Sequence, residues 1–185
     1  MVPSVLAAGL WLGLLQTSTT GEPQFVDLRV GSVQLGSTAS GEAFVRSFGG
    51  HEVEGDGGVA EFRYLNGTKT ELLELVMHPG GERYQFMELR VRRPSSSELQ
   101  STQVAGIDSF LTGQGLHLGL TVERVTRILG APHTQTSSGR SRGLHYRCTS
   151  AGCPFLKKVN MPLYHGNYFF ADGILVSLEA GYEYP

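Results

Sequence analysis

The feature that most constrains this chain is a local pattern that occurs twice. Near the start it reads Leu35-Gly36-Ser37-Thr38, a stretch of helical character, then Phe48-Gly49. Near the end it reads Leu118-Gly119-Leu120-Thr121, a second such stretch, then Leu129-Gly130. A strand candidate bearing a tyrosine follows each closing glycine, Tyr64 in the first copy and Tyr146 in the second, and a strand hairpin ends each copy. A repeat of this kind sets the architecture before any single element does. Two small α+β units side by side make a broad surface, whereas enzymes of this size usually show a cleft with clustered catalytic groups.

The elements of the first copy follow from alternation and turn chemistry. Residues 25–35 alternate (Phe25, Val26, Leu28, Val30, Val33, Leu35) and read as a short strand or extended lead-in. Thr38 or Ser40 can cap a helix carrying Ala43, Phe44, Val45 and Phe48, which Gly49 and Gly50 can end. Strands are expected over 59–65, 70–77 and 83–91. Asn66-Gly67 between the first two reads as a type I′ hairpin turn, because both residues tolerate positive φ.

In the second copy Thr121 caps a helix with Val122, Val125, Ile128 and Leu129 on one face. Glu123 in its first turn suits the helix dipole, and Gly130-Ala131-Pro132 stops it. Strand candidates follow at 143–149 and 155–163, then a hairpin of 167–171 and 174–182 around Asp172-Gly173. The expected fold class is therefore α+β, in two tandem units, each a short helical segment packed on an antiparallel β-meander. Residues 22–93 form the first unit and 107–185 the second. The polar stretch 94–106 links them, with room for one helical turn from Glu98.

Residues 1–21 read as a signal peptide. The apolar run from Val5 to Leu15 is too short to span a bilayer, which needs about 20 residues. The small, polar stretch 16–21 follows it as a cleavage region. No Lys or Arg precedes the run, so a mis-assigned start or a buried N-terminal strand stands as the alternative. The only cysteines are Cys148 and Cys153, which leaves no cysteine for an N-terminal lipid anchor. A secreted or periplasmic protein is expected.

The net charge of −2 is uninformative, but its distribution is not. Residues 124–171 carry seven bases (Arg124, Arg127, Arg140, Arg142, Arg147, Lys157, Lys158) and no acid, while residues 1–123 carry fourteen acids against eight bases. Such asymmetry can mark a surface for an acidic partner, or the two halves can neutralise each other inside the molecule. Nothing suggests nucleic acid.

Cys148 and Cys153 are five positions apart. In an exported chain such a pair most often forms a disulfide, here clipping the connection between two strands. The alternatives are a metal site with His145 and His165, a redox pair and free thiols. No Gly-x-Ser-x-Gly and no phosphate loop is present, and Gly55-Asp56-Gly57-Gly58 is too short for a calcium loop. No catalytic residue, cofactor or metal is expected. Aromatic residues crowd the strand candidates. Of these, Tyr146, Tyr168 and Phe170, near Arg142 and Arg147, are the surface candidates for binding another protein, with Lys157 and Lys158 beside them.

Residues 115–132, Gly-Leu-His-Leu-Gly-Leu-Thr-Val-Glu-Arg-Val-Thr-Arg-Ile-Leu-Gly-Ala-Pro, resemble the opening of the SmpA/OmlA domain. That domain occurs in the small lipoprotein of the outer-membrane barrel-assembly machinery. Residues 168–176, Tyr-Phe-Phe-Ala-Asp-Gly-Ile-Leu-Val, resemble its closing hairpin. Two such units in tandem look like the β-lactamase inhibitory protein fold, in which two helix-plus-sheet repeats present a concave sheet face to an enzyme. Two departures stand: the lipid-anchor cysteine is missing, and the inhibitor family's disulfide in each repeat is not reproduced in the first copy. The resemblance thus implies the fold and not inhibition. The expected function is that of an exported, non-enzymatic binding protein that engages another protein through a sheet face, of envelope-assembly or inhibitor type. The other reading is a structural envelope protein docking its basic second half on an anionic glycan or lipid. A third is an enzyme or metal protein built on the Cys/His cluster.

Overall fold

The computed structural model describes residues 23–50, 52–55 and 59–183. The apolar run 5–15, the cleavage region and residues 56–58 of the acidic turn lie outside them. A short hairpin, β1 (Arg29–Val30) and β2 (Val33–Gln34), leads into helix α1 (Thr38–Phe48). Its cap is Ser37, neither Thr38 nor Ser40: the Ser37 hydroxyl accepts from the Ser40 N–H, and the Ser40 hydroxyl turns back to the Gln34 and Ser37 carbonyls.

Strands β3 (Glu52–Glu54), β4 (Ala60–Leu65), β5 (Leu72–Met77) and β6 (Phe86–Arg92) form an antiparallel meander. The Asn66-Gly67 pair does not make the expected two-residue turn. The connection runs over residues 66–71, and the positive φ falls on Lys69. Asn66 is buried and acts as its hub: its Oδ1 accepts from the Thr70 and Glu71 N–H groups, and its Nδ2 donates to the Asp108 carbonyl. A side chain that satisfies three backbone groups stabilises a longer loop than the two-residue turn.

The linker is not free chain. It holds helix α2 (Glu98–Ser101) and strand β7 (Gln103–Val104), which pairs parallel to β4. Helix α3 (Val122–Leu129) follows, capped by Thr121 as expected. Then come β8 (Thr134–Ser138), β9 (Ser141–Thr149), helix α4 (Phe155–Lys158), β10 (Leu163–Ala171) and β11 (Ile174–Glu183). Two corrections apply here. β8 carries no apolar alternation and gave no strand signal. Residues 155–163 do not form one strand: Pro154 starts a helical turn, Phe155 and Leu156 sink into the core, and strand resumes at Leu163.

Eight strands run in the order β3-β4-β5-β6-β11-β10-β9-β8, with β7 attached to β4. The meanders of the two copies thus meet as one continuous sheet, joined last strand to last strand by five register pairs from Ser177↔Arg92 to Gly181↔Glu88. At this seam Gly181 is required by close approach, since a Cβ there would lie 2.6 Å from the Met87 carbonyl oxygen and 2.7 Å from Glu88 Cα. Among the described residues no helix is long and apolar enough to cross a membrane.

Period-two alternation gives the sheet two unlike faces. One buries Phe62, Tyr64, Leu75, Leu89, Leu144, Tyr146, Tyr164, Tyr168 and Leu178 beneath α1 and α3, whose Phe44, Val125 and Leu129 complete the core. Each large side chain so buried contributes about 1.5–3 kcal/mol. The two copies are built alike. Gly36 and Gly119 both have positive φ (79° and 93°), and each N–H donates to a carbonyl on the last strand of its own copy, Phe86 and Leu175. Gly49 and Gly130 both end a helix with positive φ, 71° and 83°.

Candidate functional site: the open sheet face

The second face carries the side chains of opposite parity, and it is charged. One row crosses six strands by direct register: Arg63↔Glu74↔Arg90↔Glu179↔Asn167↔His145. The neighbouring row reads Glu61↔Val76↔Glu88↔Gly181↔His165↔Arg147. Opposite charges facing each other across strands stabilise a sheet, and here they do so across the seam between copies.

The ion pairs are close and shared. The Arg92 guanidinium makes fork contacts with two carboxylates, at 2.7 and 3.1 Å to Glu74 and 2.5 and 3.0 Å to Glu98. Arg63 bonds Glu61 at 2.7 Å and approaches Glu74 at 3.3 Å. Arg90 bonds Glu88 at 2.5 Å and lies 3.5 Å from Glu179 and 3.6 Å from Glu61. Glu61, Glu74 and Glu88 are buried beneath these arginines. Arg92 hydrogen bonding, reinforced by Ser95, holds the Glu98 carboxyl down at about 2. Burial pushes Glu88 up, against the pull of Arg90. Glu179 is lowered by its contact with His165 and by the Asn167 amide.

Toward β8 the face changes character. Phe169 is 40% exposed and stands edge-on to His145, their rings 5.9 Å apart. His145 Nδ1 lies 2.9 Å from Asn167 Oδ1. A shallow groove beside Phe169 is lined by Thr136, Ser141, Arg142 and Val176. Arg147 is exposed and pairs with Glu183 at 3.2 Å.

The residues singled out in the sequence are scattered by this geometry. Cys148 and Cys153 form a disulfide, with Cα atoms 5.9 Å apart, which removes the thiols needed for a Cys/His metal site or a free redox pair. Tyr146, Tyr168 and Phe170 do not reach the surface: they are on the helix side at 0%, 1% and 2% exposure. Tyr146 spends its hydroxyl on the Gly130 carbonyl, and burial raises it to about 12. Phe169, between two of these aromatics, is the exposed one. Arg142 and Arg147 are on the second half's outer surface but on opposite parities of β9, and only Arg147 shares the open face. Lys157 and Lys158 lie on α4, at the helix side, exposed and away from that face. Among the described residues, the bases of 124–171 make no ion pair with the acids of the first half: Arg140 and Arg147 pair with Asp172 and Glu183, and the acids of the first meander are met by Arg63, Arg90 and Arg92.

Sequence reasoning missed Glu61, Glu74, Glu88, Glu179 and their arginine partners. A period-two run of charge was the available signal: Glu61-x-Arg63 and Glu88-x-Arg90-x-Arg92. Comparison with protein-family models, with curated proteins and with solved structures finds no match to this chain.

Proposed function

We propose that this is an exported, non-enzymatic binding protein that engages another protein through the open sheet face. The observation that carries the reading is the row from Arg63 to His145. It is a fixed array of alternating charge on a continuous sheet, and it ends at the exposed ring of Phe169. Charges held in place before contact lose little entropy on binding. A complementary pattern on a partner would fix register and orientation, while an aromatic anchor supplies apolar contact. The tandem arrangement, which resembles the β-lactamase inhibitory protein fold, supports the same use of the face. The disulfide supports export, since such bonds persist in oxidising compartments.

The test is affinity capture from envelope and culture fractions, repeated with two variants. Phe169→Ala with Arg147→Glu alters the open face, and Lys157→Glu with Lys158→Glu alters the helix side. A stoichiometric protein lost only with the first pair supports the proposal. A protein lost only with the second pair overturns it. Absence of a protein partner, together with salt-sensitive binding to anionic vesicles or glycan, moves the function to the basic half.

A further inference from the structure

We propose that the open face carries a divalent-cation site formed by Glu88, His165 and Glu179, with Zn2+ as the ion its chemistry fits. The three residues lie on neighbouring strands β6, β10 and β11, and their ligand atoms all lie within 4.8 Å of one another. His165 Nε2 is 3.2 Å from Glu179 Oε1 and 4.0 Å from Glu88 Oε2. Gly181 sits between Glu88 and His165 in the register, and its lack of a side chain lets the groups from the flanking strands converge above it.

His165 is the independent sign of a ligand. It is 5% exposed, its Nδ1 has no hydrogen-bond partner among the described residues, and its Nε2 meets the two carboxylates without well-aligned hydrogen-bond geometry. A buried imidazole whose polar contacts are poorly aligned is costly, and coordination through Nε2, the nitrogen turned toward both carboxylates, would lower that cost. The carboxylates are already oriented for the purpose. Arg90 engages Glu88 through Oε1 and Glu179 through Oε2, which leaves Glu88 Oε2 and Glu179 Oε1 toward His165. Asn167 Nδ2 also donates to Glu179 Oε1 at 2.9 Å. Outer partners of this kind orient ligating carboxylates.

Charge points the same way. In the connected network five carboxylates (Glu61, Glu74, Glu88, Glu98, Glu179) meet three guanidinium groups (Arg63, Arg90, Arg92). The carboxylates outnumber the guanidinium groups by two, and a divalent cation beside His165 would offset that excess. One imidazole and two carboxylates are ligands Zn2+ accepts, and with three protein ligands a fourth would be supplied by water.

The experiment titrates the metal-free full chain with Zn2+ by calorimetry, and with Co2+ by absorption. One ion per chain is expected, with affinity at least about tenfold weaker in Glu179→Gln and in His165→Gln but unchanged in His133→Gln. No uptake, or uptake that the first two variants leave unchanged, overturns the proposal. Glu179→Gln is isosteric and partly exposed, so it keeps the test open if His165→Gln fails to fold. The native chain supplies a second readout: Zn2+ must shift the His165 ring nitrogen resonances in NMR, and unchanged resonances at saturating Zn2+ overturn the site.

Discussion

Tyr64 and Tyr146 occupy the same place in the two copies: each hydroxyl donates to the carbonyl of the glycine that ends its own helix, Tyr64 to Gly49 at 2.8 Å and Tyr146 to Gly130 at 2.9 Å. Burial raises both phenols to about 12, so both remain donors through the physiological range. The bond ties each helix's C-terminus to a strand whose neighbours are set by long-range pairing. Replacing Tyr64 or Tyr146 with Phe leaves a helix-end carbonyl without its partner, at an expected cost of about 1–2 kcal/mol each. Urea unfolding of the two single variants and the double variant checks this. The two losses should add to within about 0.5 kcal/mol, because the bonds are in separate halves and share no partner.

The Cys148–Cys153 bond closes a short loop between the end of β9 and α4. Chain entropy assigns such a loop about 2 kcal/mol. Cys148→Ala with Cys153→Ala should lower the free energy of unfolding by about that amount and leave the far-UV circular dichroism unchanged. A reductant should shift the unfolding midpoint of the native chain but not that of the double variant.

Glu98 gives a pH-dependent prediction. Its folded pKa of about 2 lies below the ordinary glutamate value of 4.5. Its stabilising effect is therefore complete above the unfolded pKa and is lost as pH falls from about 5 toward 2. Glu98→Gln should destabilise the protein by roughly 1–2 kcal/mol at pH 7. The difference from the native chain should shrink steadily below about pH 5 and vanish near pH 2. A variant as destabilised at pH 2 as at pH 7 would show that the Arg92 contact is not what holds Glu98.

Gly181 predicts a larger effect from a smaller change. Gly181→Ala places a methyl group against the Met87 carbonyl and Glu88 Cα, both backbone-fixed positions on the partner strand. β6 and β11 would have to separate locally, with an expected loss of about 1–3 kcal/mol. Differential scanning calorimetry would register this as a lower Tm, with amide exchange speeding first at residues 88–92 and 177–181.

Much of this architecture was written in local chemistry. The two Gly-ended helices, their tyrosine-bearing strands, the Asp172-Gly173 hairpin and the cysteine pair each depend on residues close in sequence, and the structure has them. What depends on partners far along the chain was not legible. β8 is polar on both sides, and β7 is two residues long, so only their neighbours make them strands. The facing of the aromatics was misread for a related reason. Arg142 shares the parity of Tyr146, yet it is exposed because it stands at the strand end beside the β8–β9 turn, while Tyr146 lies under α3's C-terminus. The Glu88, His165 and Glu179 cluster joins residues about 90 positions apart, and no spacing rule reaches across the seam that assembles it.

That seam has a consequence for how the molecule can be divided. Cut in the 94–97 stretch, either piece keeps its own helix and meander, but each is left with a last strand whose outward amides have lost five register partners. Such a raw border recruits another strand. The readiest replacement is the corresponding border of an identical piece, so isolated halves should self-associate or precipitate, and mixing the two should restore the parent molecule. In this sense the covalent link between the copies serves as a stoichiometry control: it guarantees every β6 one β11 and denies both to strangers.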